Sequence, residues 1–214
     1  MGVLGHSYVS DEDMERIPAG LEREVLPFVT AHRQDAVSIF TTLTPGPDMI
    51  LTEKALQILD RENVEHRLVI VRTLPPEAAI GDFLPNLERG GRWTTSMPAL
   101  SSTPQEAAVQ IQRKLDEFLR QQRAVVIAHL EPVALTMEDW QNPLMRNRAY
   151  QRANAYLVSR CDAIVAFYDP NRKQEESRTA EALKWARNIA PIPEEYLPFS
   201  RSKSPTLREI ILLP

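Results

Sequence analysis

A continuous apolar run at residues 67–72, Arg67-Leu-Val-Ile-Val-Arg72, constrains the fold more than any other part of the sequence. A strand with one face in water alternates apolar and polar residues, whereas this one is apolar on both faces. Such strands occur almost only in parallel sheets that helices cover on both sides. The run therefore predicts an α/β protein rather than an antiparallel sandwich.

Similar apolar runs recur along the chain, separated by segments whose apolar residues have helical spacing. Alternating strands and helices predict a doubly wound, mostly parallel, Rossmann-like sheet. With 214 residues and 43% hydrophobic content, the chain is expected to form a single domain over 1–214. The predicted strands lie at 2–4, 38–43, 67–72, 124–128 and 162–168, with a sixth at 208–213 on an edge.

Three segments interrupt this alternation. Ser10 begins an acidic helix start, and Pro18 is expected to interrupt that helix. Residues 84–103 combine Gly, Pro, Ser and Thr without either period, so they are predicted to form a long loop. Residues 191–214 are expected to form a C-terminal extension that contains the edge strand.

Charge and cysteine content exclude several classes of protein. The net charge of −4 argues against binding of duplex nucleic acid, although residues 146–214 hold 12 Lys and Arg against 8 Asp and Glu, which suits a small anionic ligand. Cys161 is the only cysteine, so no intramolecular disulfide forms. No apolar run approaches the length of a membrane span, and a cytoplasmic protein is expected. A homo-oligomer is compatible with these features.

The basic third surrounds the strand on which we centre the candidate site. This strand, at 162–168, carries Tyr168 and Asp169 to its carboxyl end, between a predicted helix at 147–160 and another at about 177–190. Open α/β sheets bind ligands beyond the carboxyl ends of their strands, where the helix N-termini converge. The sequence therefore predicts a ligand site at this edge.

Each candidate residue also has an ordinary structural interpretation. Ser177, Arg178 and Thr179 offer hydroxyls and a cation to a phosphate, but Ser177 is also consistent with a plain helix cap. Asp169 suits ribose hydroxyls, and equally a turn before Pro170.

The remaining candidates are also open to two interpretations. His6 follows the first strand, where it is either a ligand contact or a packed histidine. Asp48 is either a helix cap, the interpretation that we favour, or a ligand contact. Arg146 lies at the start of a helix, where its charged side chain is either a ligand contact or a solvated surface group. His32, His66 and His129 lack metal-ligand spacing, so no metal site and no cofactor are predicted.

Several segments resemble the SLOG superfamily, a Rossmann-like group that includes the Lonely Guy phosphoribohydrolases, DNA-processing proteins and ligand-sensing domains of some TRPM channels. Residues 2–7 (GVLGHS) are similar to the opening strand and "GHR" turn of one bacterial branch, with Ser7 where arginine is usual. Residues 43–56 resemble its "L-A-E-G-A-D…E-x-A-L" element, and residues 74–83 resemble the segment after its third strand. The closest match runs from Arg146-Asn147-Arg148 to Tyr168-Asp169, where the branch has "R-N", "D-x-L-I-A" and "W-D-G".

This resemblance implies a nucleotide-like ligand and a set of site residues. The implied catalytic pair is Glu181, at the position of the family's acidic residue, and Arg146. Glu181 alternatively pairs with Lys184 on a solvated helix face. The chain departs from the family at 177–181 (SRTAE), where glycines are expected but none follows Gly91. The implied ligand-binding residues are Gly5, His6, Ser7, Gly46, Asp48, Asn147, Asp169, Ser177, Arg178 and Thr179.

The missing glycines weaken the phosphate cradle that hydrolysis would need, because glycine lets backbone N–H groups approach an anion closely. We therefore expect the protein to bind or sense a nucleotide-derived ligand. The alternatives are an N-glycosidic hydrolase of nucleoside 5′-monophosphates and a non-catalytic interaction protein.

Overall fold

The computed structural model describes residues 1–5, 10–72, 76–88, 103–130, 142–168, 178–187, 192–193, 196 and 206–210. Within them, strands and helices alternate as the sequence predicts. The strands are β1 Gly2–Gly5, β2 Val37–Thr41, β3 His66–Arg72, β4 Val125–His129, β5 Ala163–Phe167 and β6 Thr206–Ile210. The helices are α1 Asp11–Ala31, α2 Pro47–Arg61, α3 Pro76–Glu88, α4 Pro104–Gln121, α5 Pro143–Arg160 and α6 Arg178–Arg187.

All six strands belong to one sheet, in the order β4-β3-β2-β1-β5-β6, and every neighbouring pair is parallel. The predicted α/β, Rossmann-like fold is confirmed, and the sixth strand lies on an edge as predicted. The chain leaves β1 toward β2 on one side and returns after β4 to β5 on the other. The topological switch point therefore lies between β1 and β5, where Gly5 pairs with Phe167.

Each face of the sheet has its own hydrophobic core, because successive residues of a strand point to opposite faces. Val3 and Val165 pack with α1 to α4, whereas Leu4 and Ile164 pack with α5 and α6. Since all the strands run in the same direction, each helix that directly follows a strand begins at the carboxyl edge. The first turns of α1, α2, α3, α5 and α6 therefore share this edge with the switch point.

Helix α1 confirms one prediction and corrects another. The Ser10 hydroxyl accepts a hydrogen bond from the Asp13 N–H at 3.2 Å, and the Asp13 carboxylate accepts one from the Ser10 N–H at 2.8 Å, so Ser10 caps the helix as predicted. The predicted interruption at Pro18 is wrong, since the helix continues through it. An internal proline costs about 3 kcal/mol, whereas each buried aliphatic side chain contributes about 1.5 to 3 kcal/mol. The helix buries four of them fully: Ile17, Leu21, Val25 and Val29.

Two helices near the candidate site differ from their predicted boundaries. Helix α3 occupies a segment in which no helix is predicted. It continues past Pro85 to Glu88, so the loop predicted at 84–103 is wrong for its first five residues. Burial of Ile80 and Phe83 in the core holds this helix in place. The remainder of that loop, at 89–102, lies outside the described residues. Helix α5 begins four residues before its predicted start, because Asn142 caps it through the Leu144 N–H at 3.0 Å.

Candidate functional site

Gly5 ends β1 at the switch point, and its lack of a side chain allows α2 to approach. A Cβ atom at this position would lie 2.2 Å from the Pro47 Cβ and 3.1 Å from the Pro47 carbonyl carbon. Any other residue would therefore displace the start of α2. The close contact gives a physical reason for glycine at a position that the sequence predicts to line the site.

Asp48 connects the ends of β1 and β2. Its carboxylate accepts hydrogen bonds from the Thr42 hydroxyl and from the Gly5 N–H. Burial raises the pKa of Asp48 from 3.8 to about 6, although the hydrogen bonds from Thr42 and Gly5 act to lower it. The cap predicted at Asp48 is not formed, because its carboxylate bonds the ends of β1 and β2 instead.

Gly46 is the N-cap residue of α2, and it has no side chain with which to cap the helix. Its φ of 100° lies in a region that favours glycine. This conformation places Asp48 in the first turn, with its side chain directed to β1 and β2. The expected cap at Asp48 is therefore wrong because the chain turns two residues earlier.

Threonine hydroxyls complete the loop between β2 and α2. The Thr42 and Thr44 hydroxyls lie 2.9 Å apart, and the Thr41 hydroxyl accepts a hydrogen bond from the Leu43 N–H at 2.9 Å. Leu43 adopts a φ of 53°, which is unusual for a bulky residue and often marks functional loops. Sequence reasoning assigned no role to these hydroxyls, although the Thr41-Thr-Leu-Thr44 run was visible as a signal.

Thr179 connects the start of α6 to the end of β1. Its buried hydroxyl donates a hydrogen bond to the Gly5 carbonyl at 2.8 Å. The predicted ligand residues Gly5, Asp48 and Thr179 thus lie together, at the switch point between β1 and β5. We call the set of Gly5, Thr42, Pro47, Asp48 and Thr179 the Gly5 junction.

A second group of side chains lies where α3, α5 and α6 meet. The Arg146 guanidinium donates to Asp82 Oδ1 at 2.6 Å, and the Tyr150 hydroxyl donates to Asp82 Oδ2 at 3.1 Å. The Arg178 guanidinium lies over the Tyr150 ring, 4.0 Å from its centroid. We call Asp82, Arg146, Tyr150 and Arg178 the Tyr150 cluster.

The electrostatics of this cluster hold Tyr150 neutral. Burial raises the pKa of the Tyr150 phenol above its usual range, and the nearby Asp82 carboxylate raises it further, while Arg178 acts in the opposite direction. The phenol therefore remains a hydrogen-bond donor to Asp82 at ordinary pH. Neither Asp82 nor Tyr150 was a predicted site residue.

Glu181 has a partner different from the one considered in the sequence. Both of its carboxylate oxygens accept from the Gln151 amide, at 3.0 and 3.3 Å, whereas the sequence had suggested Lys184. The Tyr196 hydroxyl donates to Gln151 Oε1 at 3.4 Å. Gln151 lies five residues after Arg146 on α5, a rise of about 7.5 Å along the helix. The implied catalytic pair thus lies on one side of the site, with each member bound to another residue.

Other predicted site residues are placed less fully. His6, Ser7, Asp169 and Ser177 lie outside the described residues. Asn147 is half-buried on α5, beside Arg146. Among the residues that the structure describes, no group of three or more His, Cys, Asp or Glu could hold a metal ion. No helix in the described segments is long and apolar enough to cross a membrane.

No protein-family model, curated protein or solved structure matches this chain.

Proposed function

We propose that the protein binds a nucleotide or nucleotide-derived small molecule at the carboxyl edge of its sheet, next to the switch point between β1 and β5. The observation that carries the proposal is that a cation and a carboxylate both lie at this edge. The exposed cation of Arg178 lies at the first residue of α6, and the half-buried carboxylate of Asp48 lies in the first turn of α2. Both residues are linked to Gly5, one through its neighbour Thr179 and the other through the Gly5 N–H.

These groups suit the separate parts of a nucleotide. A guanidinium at a helix N-terminus binds phosphate oxygens, and the helix dipole adds to its attraction. Carboxylates at the ends of parallel strands accept hydrogen bonds from ribose hydroxyls. The resemblance to the SLOG superfamily supports the same class of ligand.

Thermal unfolding in the presence of AMP, ADP and cyclic nucleotides tests the proposal. At a concentration 100 times Kd, a ligand stabilises the folded state by about 2.7 kcal/mol, which predicts a rise in Tm of roughly 5 to 10 °C for a chain of this size. A rise that Arg178→Gln reduces, but Arg113→Gln on α4 leaves unchanged, would support the proposed site. If no nucleotide raises Tm at millimolar concentration, the proposal is wrong and an interaction protein becomes the better hypothesis.

Hydrolysis of a nucleoside 5′-monophosphate is the second candidate function, because Glu181 lies one helical turn after Arg178 on α6. In this reaction Glu181 helps water attack C1′, which releases the free base and ribose 5-phosphate. However, Glu181 and Arg146 both bind other side chains, so we favour binding without turnover. Incubation with AMP, GMP, CMP and UMP followed by chromatography distinguishes the two. Release of free base that Glu181→Gln abolishes would overturn this preference.

A further inference from the structure

The Tyr150 cluster contains two arginines but one carboxylate. We propose that Arg146, Asp82 and Tyr150 are positioning residues, which together hold the guanidinium of Arg178 where it binds the anionic group of the ligand. This inference rests on the proposed function and changes the role of Arg146, which the sequence had suggested as a catalytic group.

Arg146 is committed to Asp82 rather than to a ligand. Their contact of 2.6 Å is a short, charge-assisted hydrogen bond, and both side chains are partly shielded from water, with 34% and 20% of their surfaces exposed. The other Asp82 oxygen accepts from Tyr150. A direct contact between Arg146 and a ligand would have to use the N–H donors that Asp82 leaves, on a side chain of which only 34% is exposed.

Tyr150, which Asp82 holds, in turn positions the guanidinium of Arg178. Its hydroxyl is fixed at one end by Asp82, so the ring has a defined orientation, and the guanidinium stacks on the face of that ring. A stacked guanidinium uses its face, whereas carboxylates and phosphates bind the N–H donors along its edge. This contact orders Arg178, and the N–H donors that do not interact with the Tyr150 hydroxyl remain for an anion.

The backbone of Arg178 is anchored as well. The Asn154 amide donates to the Arg178 carbonyl at 3.2 Å, and the next residue, Thr179, donates to Gly5 at 2.8 Å. The start of α6 is thus connected to α5 and to β1. An ordered cation loses less conformational entropy on binding than a free arginine side chain, which increases its affinity for an anion.

The charge balance separates this proposal from a purely structural network. A structural ion pair between α3 and α5 requires only Arg146 and Asp82. Asp82 is the single carboxylate of the cluster and pairs with Arg146. The charge of Arg178 is therefore not balanced within the cluster, which retains a positive charge at the carboxyl edge.

The test compares AMP, adenosine and inorganic pyrophosphate as probes, by isothermal titration calorimetry. Arg178→Gln is expected to weaken binding of AMP and pyrophosphate by at least about tenfold, because a charge-assisted hydrogen bond is lost, and to leave adenosine binding unchanged. Tyr150→Leu is expected to weaken AMP binding by about fivefold through loss of the cation–π contact. Smaller losses of AMP affinity, of about threefold, are expected for variants that keep an aromatic ring at position 150. These variants are Asp82→Asn, Arg146→Gln and Tyr150→Phe.

We call Asp82, Arg146 and Tyr150 the brace. A measurement without ligand shows whether the brace orders the side chain of Arg178. In the wild type, the Nε–H resonance of Arg178 should carry a ring-current shift from Tyr150. This shift should disappear in Tyr150→Leu and diminish in Asp82→Asn and Arg146→Gln, with Arg113→Gln as the control. Circular dichroism and thermal unfolding establish that each variant is folded, and Tyr150→Phe provides the mildest change.

The outcomes separate this inference from the proposed function. A larger loss of AMP affinity in Arg146→Gln than in Arg178→Gln would make Arg146 the direct ligand and overturn the proposal. Wild-type affinity in every brace variant would also overturn it, while the nucleotide site would stand. Pyrophosphate binding that depends on Arg178 and Tyr150, without binding of any nucleotide, would support the brace and refute the nucleotide. Failure of all probes to bind the wild type would refute both.

Discussion

The Gly5 junction and the Tyr150 cluster lie at the same edge of the sheet but are built in opposite ways. The junction is compact: a glycine, a buried threonine and a carboxylate with a raised pKa join three backbone segments. The cluster is charged and partly exposed, and it joins side chains of three helices. The contrast fits the proposed division of roles, in which the junction holds the backbone at the switch point and presents the Asp48 carboxylate, while the cluster orders the cation proposed to bind the anionic group.

Gly5→Ala should give the largest loss of stability, because the new Cβ would lie 2.2 Å from the rigid Pro47 ring. Forcing an atom into such a contact is expected to destabilise the protein by about 3 kcal/mol. Chemical denaturation measures the free energy of unfolding. The matched control is Gly81→Ala on α3, where nothing lies within 4 Å and helix propensity predicts a gain of roughly 0.5 to 1 kcal/mol. Equal effects at the two glycines would contradict the role given to Gly5.

Asp48→Asn should remove the pH dependence that the Asp48 carboxylate gives to the free energy of unfolding. Because folding raises the pKa of Asp48 from 3.8 to about 6, its protonated form is favoured in the folded state. This contribution is fully present below about pH 3.8 and is lost as the pH rises through about 6. Allowing for the partial exposure of the carboxylate, the wild type should lose about 2 kcal/mol relative to Asp48→Asn between pH 4 and pH 7.

The measurement compares unfolding free energies of the two proteins across this range, so that groups common to both cancel. A wild type that gains stability relative to Asp48→Asn as the pH rises would show that the hydrogen bonds from Thr42 and Gly5 outweigh burial.

The two regions also differ in how far the sequence predicted them. The resemblance named site residues in both regions, Gly5 and Asp48 in the junction and Arg146 and Arg178 in the cluster. It named neither Asp82 nor Tyr150 as a site residue. The contact between Asp82 and Arg146 spans 64 positions along the chain, and it depends on α3, which the sequence did not reveal. The strands, the parallel sheet and the edge position of the last strand were predicted from the apolar pattern, whereas the strand order came only from the structure. Side-chain partners across helices depend on packing angles that no local pattern encodes.

A double-mutant cycle of Asp82→Asn and Arg146→Gln tests how much the cluster contributes to stability. Their partly shielded pair should give a coupling energy of about 1 kcal/mol. The same cycle on Arg113 and Glu117, an exposed pair on α4, should give a smaller value because water and salt screen it. Coupling equal to that of the exposed pair would make the brace too weak to order Arg178.

Thr179→Val should produce the smallest of these effects and also test whether the two regions act separately. The substitution keeps the shape of the side chain but removes the hydrogen bond to the Gly5 carbonyl, which is expected to cost about 1 kcal/mol of stability. Thr30→Val on α1 is the control, since the exposed Thr30 hydroxyl bonds a carbonyl that water can also reach. Arg178 is still held by Tyr150 and Asn154, so the affinity for AMP should remain close to that of the wild type. A loss of affinity as large as that of Arg178→Gln would show that the junction and the cluster form one binding unit, because the position of Arg178 would then depend on Gly5 through its neighbour.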